Sequence, residues 1–438
     1  MDDKEKTVKL MYLDTVYAAI KEGVNANFVL PFAIAMNAGS QYLALISSMP
    51  QLLGSFCQLF SADLMNLLKK RKTVIVFAAL IDALMWIPLM LMPMLWSDNI
   101  FLLLNILVIQ AIANSLLSPF FNSLLGDIMP QEERGKITSK LNQISGFMSL
   151  ISSVIAGFVL AVFKPINPFF GFSLIFFLAF FARLVSTMVK SKFIEPEVKE
   201  APKFESFFHF TRNIRKSNFG QFVMYNSWIK FAVGMSAPFF TVYMLKDLNM
   251  DFLTFTLINS AAIISSFVVL QAWGRSIDKE GSRKMLAITG FLIPTIPLLW
   301  IVFRDAWILF VIEIFSGAVW AGYNLATSNF VIDATKSENR LIMMSYHNFF
   351  IGVATFVGAM LGGLLVYKLP LDYMGNVNHF IFGLSAFLRL CFSLYFMRKI
   401  KEERFVDVEL HGPLSKRIIS ILPKQGAIFD FIPRKKGK

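Results

Sequence analysis

The stretch from 73 to 95, TVIVFAALIDALMWIPLMLMPML, holds a single charged side chain, Asp82. A helix that crosses the hydrocarbon core of a bilayer needs about 20 predominantly apolar residues. Lipid offers no partners for backbone polar groups, so the segment must satisfy them internally, and a transmembrane β-strand would end after about ten residues. This stretch therefore predicts a membrane-spanning α-helix.

Eleven further stretches of similar length and character accompany it. The twelve predicted spans lie at about 12–35, 42–62, 73–95, 101–125, 141–163, 169–189, 220–245, 253–273, 285–303, 307–331, 342–367 and 376–397. Of the 438 residues, 56% are hydrophobic and 16% are charged, whereas soluble domains carry about 25% charged residues. The chain is therefore predicted to be an all-α polytopic membrane protein with the lipid bilayer as its surroundings.

Positive charge is distributed unevenly among the connections between spans. Of the 42 Lys and Arg residues, 34 lie in the termini and the even-numbered connections, and four lie in the odd-numbered ones. Because Lys and Arg accumulate on the cytoplasmic side, we expect a multi-pass protein of the cytoplasmic membrane with both termini in the cytoplasm. The net charge of +13 is then a topology signal. We expect no nucleic-acid partner, because the chain leaves no large polar surface for one.

The longest interior connection, 190–219, divides the spans into two sets of six. Eight residues recur with the same identity 206 positions later: Asp127 and Asp333, Glu132 and Glu338, Arg134 and Arg340, Ser139 and Ser345, Asn142 and Asn348, Gly146 and Gly352, Gly157 and Gly363, Arg183 and Arg389. We therefore predict two six-helix bundles, 12–189 and 220–397, related by a parallel pseudo-repeat. The remaining segments are a cytoplasmic N-terminus at 1–11, a central cytoplasmic loop at 190–219 and a basic cytoplasmic tail at 398–438.

A basic, glycine-containing segment follows predicted span eight. It reads Gly274-Arg275-Ser276-Ile277-Asp278-Lys279-Glu280-Gly281-Ser282-Arg283-Lys284. This segment resembles the cytoplasmic loop pattern G-x-x-x-D-R/K-x-G-R-R/K of the major facilitator superfamily, and the segment 126–135 is similar to a second element of that family. The resemblance implies a twelve-helix fold built as a six-plus-six parallel repeat and a function in secondary transport.

In that family the loop latches the two halves together on the cytoplasmic side when the protein faces outward. An aspartate there can accept hydrogen bonds from the free N–H groups of a helix start, and loop arginines can pair with it. The resemblance assigns this cytoplasmic gate to Asp63, Asp127, Arg134, Gly274, Asp278, Gly281, Arg283, Asp333 and Arg340. The alternative is that these are ordinary solvated charges at the membrane surface.

Several polar side chains lie inside predicted spans, where an ionised group costs about 3 kcal/mol or more unless it is paired or hydrated. The resemblance implies that spans one, four, seven and ten line a central cavity, and these spans carry such residues. The candidates for binding substrate or a coupling ion are Lys21, Glu22, Asn25, Asn114, Asn226, Lys230, Glu313, Trp320 and Asn324. The alternative is a closed set of structural ion pairs, with Trp320 in a packing role.

Four further polar residues of the spans are interpreted as structural. Asp82 and Arg183 lie at similar depth, so we expect them to pair, or Arg183 to reach the interface by snorkelling. Arg389 has no acidic residue at the position equivalent to Asp82, which favours snorkelling for it. His347, at the start of span eleven, is expected at a surface or interface.

Two classes of function remain open on these residues. The leading hypothesis is a monomeric secondary transporter that moves a small organic solute by alternating access, with proton or ion coupling undecided. The alternative is a non-transporting membrane protein of the same fold, such as a scaffold, a receptor or a lipid-handling protein. The charged candidates favour a hydrophilic solute such as a sugar or zwitterion, whereas the many Phe and Met residues would suit amphipathic molecules or lipids. We expect no enzyme activity, no cofactor and no metal, since nucleotide-binding motifs are missing and Cys57 and Cys391 lie far apart.

Overall fold

The computed structural model describes residues 3–68, 70–96, 99–128, 131–195, 207–335, 339–370 and 372–403. These ranges contain fifteen α-helices: α1 (Asp3–Ala35), α2 (Ser40–Gln58), α3 (Ser61–Leu68), α4 (Arg71–Leu95), α5 (Ile100–Ile128), α6 (Gln131–Phe163), α7 (Pro168–Lys190), α8 (Phe207–Asn213), α9 (Asn218–Val242), α10 (Phe252–Glu280), α11 (Ser282–Leu292), α12 (Thr295–Val302), α13 (Ala306–Ala334), α14 (Arg340–Lys368) and α15 (Val377–Phe396). A π-helical turn, Tyr243–Asp247, extends α9, and a 3-10 turn, Tyr373–Gly375, precedes α15.

Ten helical segments of the described chain are long and apolar enough to cross a membrane. They are Arg71–Leu95, Ile100–Leu125, Ile137–Phe163, Pro168–Lys190, Asn218–Asp247, Phe252–Glu280, Ser282–Val302, Ala306–Ala334, Ile342–Lys368 and Val377–Phe396. They correspond to predicted spans three to twelve. α1 and α2 occupy the first two predicted spans as helices but are less apolar, since α1 carries Lys21 and Glu22 near its middle and α2 is rich in serine and glutamine. The prediction of an all-helical, multi-pass protein is confirmed.

The long helices alternate in direction, so their ends form two faces. We call the face where α1 begins and α15 ends the terminal face, and the other the opposite face. The N-terminal half comprises α1 to α7, where α1 packs on α6 and α7, and α4 packs on α5 and α7. The C-terminal half comprises α9 to α15, where α9 packs on α14 and α15, and α10 packs on α13. The halves meet along two seams, α2 with α14 and α6 with α10.

Small residues let helices approach closely where they cross. A Cβ added to Gly23 would overlap the carbonyl oxygen of Ser149 on α6, and one added to Gly358 would overlap the carbonyl oxygen of Phe231 on α9. Because lipid is as apolar as the side chains, packing of this kind stabilises helix pairs in membranes. It fixes α1 and α9, which carry the candidate charged residues, against α6 and α14.

Two prolines break predicted span nine into α11 and α12. Proline has no N–H, so Pro294 leaves the carbonyl of Gly290 without its helical donor, and Pro297 does the same to Ile293. α15 supplies replacements: Ser393 Oγ donates to the carbonyl of Gly290 at 2.9 Å, and a guanidinium nitrogen of Arg389 donates to that of Ile293 at 3.4 Å. Side chains of a neighbouring helix thus satisfy the freed backbone groups, as lipid cannot.

Candidate functional site

Two cavities lie between the long helices toward the terminal face. The first cavity, of about 330 Å³, is bounded by α1, α5, α6 and α7 and is lined by Lys21, Glu22 and Asn114. The second cavity, of about 570 Å³, is bounded by α6, α10 and α13 and is lined by Glu313, Trp320 and Asn324. Asn142 of α6 borders both. Six of the nine predicted binding residues therefore line cavities that meet at one side chain.

The opposite face is closed where the two halves meet. Ser40 Oγ of α2 donates to the carbonyl of Gly363 on α14 at 3.2 Å. Beside the other seam, the ring of Phe252 at the start of α10 stands edge-on to that of Phe172 on α7, with the ring centroids 5.6 Å apart. Lys164 lies over the same Phe252 ring at 5.9 Å. The described chain thus adopts a conformation that is sealed at the opposite face and has its polar cavities toward the terminal face.

A charged network occupies the middle of the N-terminal half. Asp82, with no exposed surface, lies 2.6 Å from Arg183 Nε and 3.4 Å from Lys21 Nζ. Arg183 also donates to Asn114 Oδ1 at 3.0 Å. Lys21 reaches Glu22 at 3.3 Å, and the Glu22 side chain is 55% exposed to the cavity. The predicted pairing of Asp82 with Arg183 is present, and Lys21 links it to a carboxylate in the first cavity.

A second ion pair lies nearer the terminal face. Lys190 of α7 pairs with Asp14 of α1, and Ser186 Oγ donates to Asp14 at 2.6 Å. Both charged side chains are buried. Sequence reasoning placed Lys190 in a solvated loop and so missed this pair. The signal in the sequence was that Asp14 lies at the start of predicted span one and Lys190 at the end of predicted span six, and these two ends share one membrane face.

The polar stripe of α13 faces the second cavity as predicted from its spacing. Glu313, Gly317, Trp320 and Asn324 all line it. Gly317 lets α13 approach α10, because an added Cβ would overlap the carbonyl oxygen of Ala262. The Glu313 carboxylate lies beside the indole of Trp300 and the hydroxyl of Ser316. It forms no ion pair with any described residue.

Asn226 and Lys230, one turn apart on α9, have different surroundings. Asn226 is fully buried, lies 2.9 Å from His347 Nε2 and accepts a hydrogen bond from the Tyr323 hydroxyl. Lys230 is half-buried, and its Nζ lies 4.8 Å from the centroid of the Trp320 ring. Asn226 is therefore part of an internal hydrogen-bond network, whereas Lys230 borders a residue of the second cavity.

Two structural interpretations of basic residues are wrong. Arg389 does not snorkel: it is 2% exposed, and it donates to Ser236 Oγ at 2.8 Å and to the Ile293 carbonyl. The freed carbonyl in broken span nine gives it an internal partner that no acidic residue had to supply. His347 is not at a surface, since it is buried and stacks on Phe222 with ring centroids 5.5 Å apart.

The remaining candidate, Asn25, lies away from both cavities. It is half-buried and lines neither of them. A third cavity, also of about 330 Å³, lies between α2, α5 and α14 and is lined by Gln58 and Asn348; Asn348 Nδ2 donates to Gln58 Oε1 at 3.2 Å across the seam. Sequence reasoning used Asn142 and Asn348 only as repeat markers. Both residues recur at equivalent positions in the parts of α6 and α14 that are nearest the terminal face, and this recurrence was the signal that could have identified them as cavity residues.

The predicted gate loop after α10 is anchored within its own half. Gly281 adopts a φ of 84°, which favours glycine, and a Cβ there would overlap Glu402. Arg283 donates through Nε to the carbonyl of Ile400 at 2.6 Å and through a terminal nitrogen to that of Met397 at 2.9 Å. Its backbone N–H donates to Glu402 at 2.8 Å. These contacts join the loop to the end of α15.

The other gate residues lie around the terminal face. Asp333 accepts from Ser282 Oγ at 3.3 Å, and Arg340 donates to the carbonyl of Ile332 at 3.3 Å. Asp63 and Asp278 are exposed, and Gly274 is half-buried. The side chains of Asp127 and Arg134 lie outside the described residues, as do 196–206 of the central loop and 404–438 of the tail. The contacts of Arg283, Asp333 and Arg340 given above all stay within the C-terminal half.

Sequence comparison identifies the family. The profile of the Major Facilitator Superfamily matches residues 16–235 and again residues 229–431. The chain belongs to this superfamily. The family consists of membrane transporters, which are generally not enzymes, and this chain is a multi-pass membrane protein of that family. A search among curated protein sequences finds no match.

Solved structures share the fold at low sequence identity. The auto-inhibited POT family peptide transporter has a TM-score of 0.72 and 11% identity, covering 93% of this chain and 99% of that one. The bacterial homologue of the iron transporter ferroportin, in an inward-facing state, has a TM-score of 0.68 and 12% identity, covering 90% and 98%. The nucleoside transporter NupG has a TM-score of 0.66 and 12% identity, covering 92% and 100%. At this identity the likeness concerns the fold.

Proposed function

We propose that this protein is a secondary transporter that moves a small organic solute across the cytoplasmic membrane by alternating access. The observation that carries the proposal is the pair of polar cavities that meet at Asn142 between the two halves, sealed from the opposite face. A site at the junction of two bundles is where such transporters bind their solutes. The second half of the cycle would open the opposite face and close the terminal one.

The membrane arrangement follows from the same proposal. α1 and α2 cross the bilayer with the other ten segments, giving twelve spans in two six-helix bundles related by a parallel pseudo-repeat. Their packing against α6, α7, α5 and α14 supports this, since a helix within such a bundle can be less apolar than one facing lipid. The terminal face lies in the cytoplasm, because the termini and even-numbered connections hold 34 of the 42 Lys and Arg residues. The protein functions as a monomer.

Two carboxylates are the candidates for coupling. Glu22 is exposed to the first cavity and contacts Lys21, which in turn contacts the buried Asp82. Glu313 faces the second cavity without a described ion-pair partner. Both can exchange partners when the halves rock, because each lies at a cavity surface rather than in a closed pair.

The loop after α10 acts as the gate of the terminal face in this scheme. Arg283 holds the loop on α15, and the exposed Asp278 of the same segment is the carboxylate that would contact the N-terminal half when the terminal face closes. Asp63, Asp127, Arg134 and Arg340 contribute the charges of the same latch.

The alternative, a scaffold or receptor of the same fold, would need its polar groups to be closed in structural pairs. Asp14, Asp82 and Asn226 fit that description. Glu22, Glu313 and Lys230 do not fit it. Glu22 is exposed, and Glu313 and Lys230 form no ion pair with a described residue. The solved structures carry names as different as peptide, iron and nucleoside transporters, so the fold leaves the solute open.

Transport by purified protein tests the proposal. The protein is reconstituted in liposomes and solutes are screened for uptake with and without a proton gradient. Glu22→Gln and Glu313→Gln are expected to impair coupled uptake per folded protein, whereas the exposed Asp63→Asn is expected to leave solute binding intact and slow only the cycle. Absence of flux for every solute, with protein that remains folded, would contradict transport. Full uptake by both glutamine variants would contradict the coupling assignment.

A further inference from the structure

Charge is balanced differently in the membrane-embedded cores of the two halves. In the N-terminal half, Lys21, Arg183 and Lys190 each contact a carboxylate. In the C-terminal half, neither Lys230 nor Arg389 forms an ion pair with any described residue. The described core of that half therefore carries two cations that no carboxylate contacts.

Lys230 is the less satisfied of the two. Arg389 donates to Ser236 and to the Ile293 carbonyl, so protein oxygens meet part of its charge. Lys230 lies over the Trp320 ring at 4.8 Å, and the charged or titratable groups that interact with it electrostatically, Arg389 and His347, are basic. A cation–π contact contributes about 0.5–2 kcal/mol, whereas burying an uncompensated ion costs several kcal/mol.

Lys230 lies next to a residue of the second cavity wall. Trp228, two residues away and so about 200° round α9, has 42% of its surface exposed. Lys230 therefore lies on the other side of α9, half-buried, with its ammonium over the Trp320 ring. Trp320 lines the second cavity, and Lys230 lies directly behind it without being a lining residue itself. Glu313 is two helical turns from Trp320 along α13, about 10 Å, and does not reach the ammonium.

We propose that Lys230 binds the anionic group of the transported solute, so that the substrate is an organic anion whose carboxylate, sulfonate or phosphate group pairs with the ammonium beside Trp320. The cavity of about 570 Å³ holds the organic part, and the Trp320 ring offers a face for a planar group. This rests on the proposed transport function and adds the charge of the solute to it. An ion pair in a site of low dielectric is strong enough to select anions over neutral analogues.

The stability of the ligand-free protein tests whether Lys230 lacks an internal counter-charge. Lys230→Met is expected to raise the midpoint of thermal unfolding, because it removes a half-buried cation that no carboxylate contacts. Lys190→Met is the matched variant and is expected to lower the midpoint, because it leaves the buried Asp14 without its cation. If Lys230→Met lowers the midpoint as Lys190→Met does, Lys230 is held by an internal partner and the proposal is wrong.

Ligand-induced stabilisation tests the anion site directly. Benzoate, benzenesulfonate and phenyl phosphate are added at roughly 10 mM to detergent-purified protein, with uncharged benzamide as the control, since a ligand that binds only the folded state raises its unfolding temperature. At least one anion is expected to stabilise the wild type more than benzamide does. In Lys230→Met the apparent affinity should fall about tenfold or more, and the exposed Lys246→Met should respond like the wild type.

The outcomes separate this proposal from the transport function. If no anion stabilises the wild type beyond benzamide, or if Lys230→Met responds equally, the anion site is wrong even where liposomes take up a neutral solute. If the anion response depends on Lys230 but no solute crosses the membrane, the anion site stands and the transport function fails.

Discussion

Asp82 places a carboxylate with no exposed surface between two basic side chains, Arg183 and Lys21. Removing one member of a buried ion pair leaves uncompensated charge, which costs about 3–5 kcal/mol. We therefore expect Asp82→Asn to lower the free energy of unfolding by that amount, because it leaves Arg183 and Lys21 facing each other. Thermal unfolding of the purified protein in detergent measures the effect.

The exposed Asp63 provides the control for this prediction. Asp63→Asn removes the same charge from a solvated position, where the expected change is within about 0.5 kcal/mol. Equal unfolding midpoints for Asp82→Asn and the wild type would show that the cations have other partners and would contradict the network.

At the scale of single residues, the sequence predicted partners only in part. The pairing of Asp82 with Arg183 could be inferred from their similar depth in spans three and six. The fate of Arg389 could not, because its acceptor is a backbone carbonyl freed by Pro297, and a search for acidic partners does not consider the backbone. Similarly, the spacing of α9 put Asn226 and Lys230 on one face, but their surroundings depend on the rings that α13 and α14 bring to that face: Asn226 contacts Tyr323 and His347, and Lys230 contacts Trp320.

At the scale of helices, broken span nine depends on donors from α15. Ser393→Ala is expected to destabilise the protein by about 1–3 kcal/mol, because it leaves the carbonyl of Gly290 without a donor in a buried position. Unfolding midpoints measure this loss.

Ser227→Ala is the matched control for Ser393→Ala. Its hydroxyl bonds to the carbonyl of Val223 one turn earlier on α9, an acceptor that already has its helical donor, so a change within about 0.5 kcal/mol is expected. If both alanine variants unfold alike, Ser393 is not replacing the missing N–H of Pro294.

The crossing of α9 and α14 makes a second prediction about helices. Gly358→Ala is expected to cost about 1–3 kcal/mol, because the added methyl group would overlap the carbonyl oxygen of Phe231 and force the helices apart. In Gly383→Ala the new Cβ would lie 3.7 Å from Ile301 Cδ1, an ordinary contact. That variant should be neutral or stabilising by up to about 1 kcal/mol, and a larger loss for Gly383→Ala than for Gly358→Ala would refute the packing argument.

Helix positions were largely predictable from apolar runs, because a membrane span must be both long and helical. The break at 293–294 was not, although Pro294 and Pro297 are visible in the sequence. A proline in a membrane helix is tolerated with or without a break, and the outcome depends on whether a neighbouring helix can donate to the freed carbonyls. Here Ser393 and Arg389 of α15 supply the donors, so the broken helix is stable.

At the scale of the whole molecule, the segment from Gly274 to Lys284 predicted the family, and the profile match confirms that prediction. The two-bundle plan was predicted separately, from the long connection 190–219 and the residues that recur 206 positions later. The conformation could not be inferred from such motifs, because the same residues serve every state of a transport cycle. It follows instead from contacts between halves, such as Ser40 with Gly363 and Phe172 with Phe252, that no single segment encodes.

Those contacts and the distribution of basic residues together predict which side of the membrane reaches the cavities. In a Cys57→Ser, Cys391→Ser background, a membrane-impermeant maleimide is expected to label Arg304→Cys, exposed on the opposite face, in intact cells. Asn142→Cys, which borders both cavities, should be labelled only in inside-out vesicles. The reason is that the closed seams block the opposite face, while the terminal face, rich in Lys and Arg, is the one we propose to lie in the cytoplasm. The reverse pattern would place the termini outside. Labelling of both positions from the same side would mean instead that the seam between the halves is open, and the sealed conformation would then have to be abandoned.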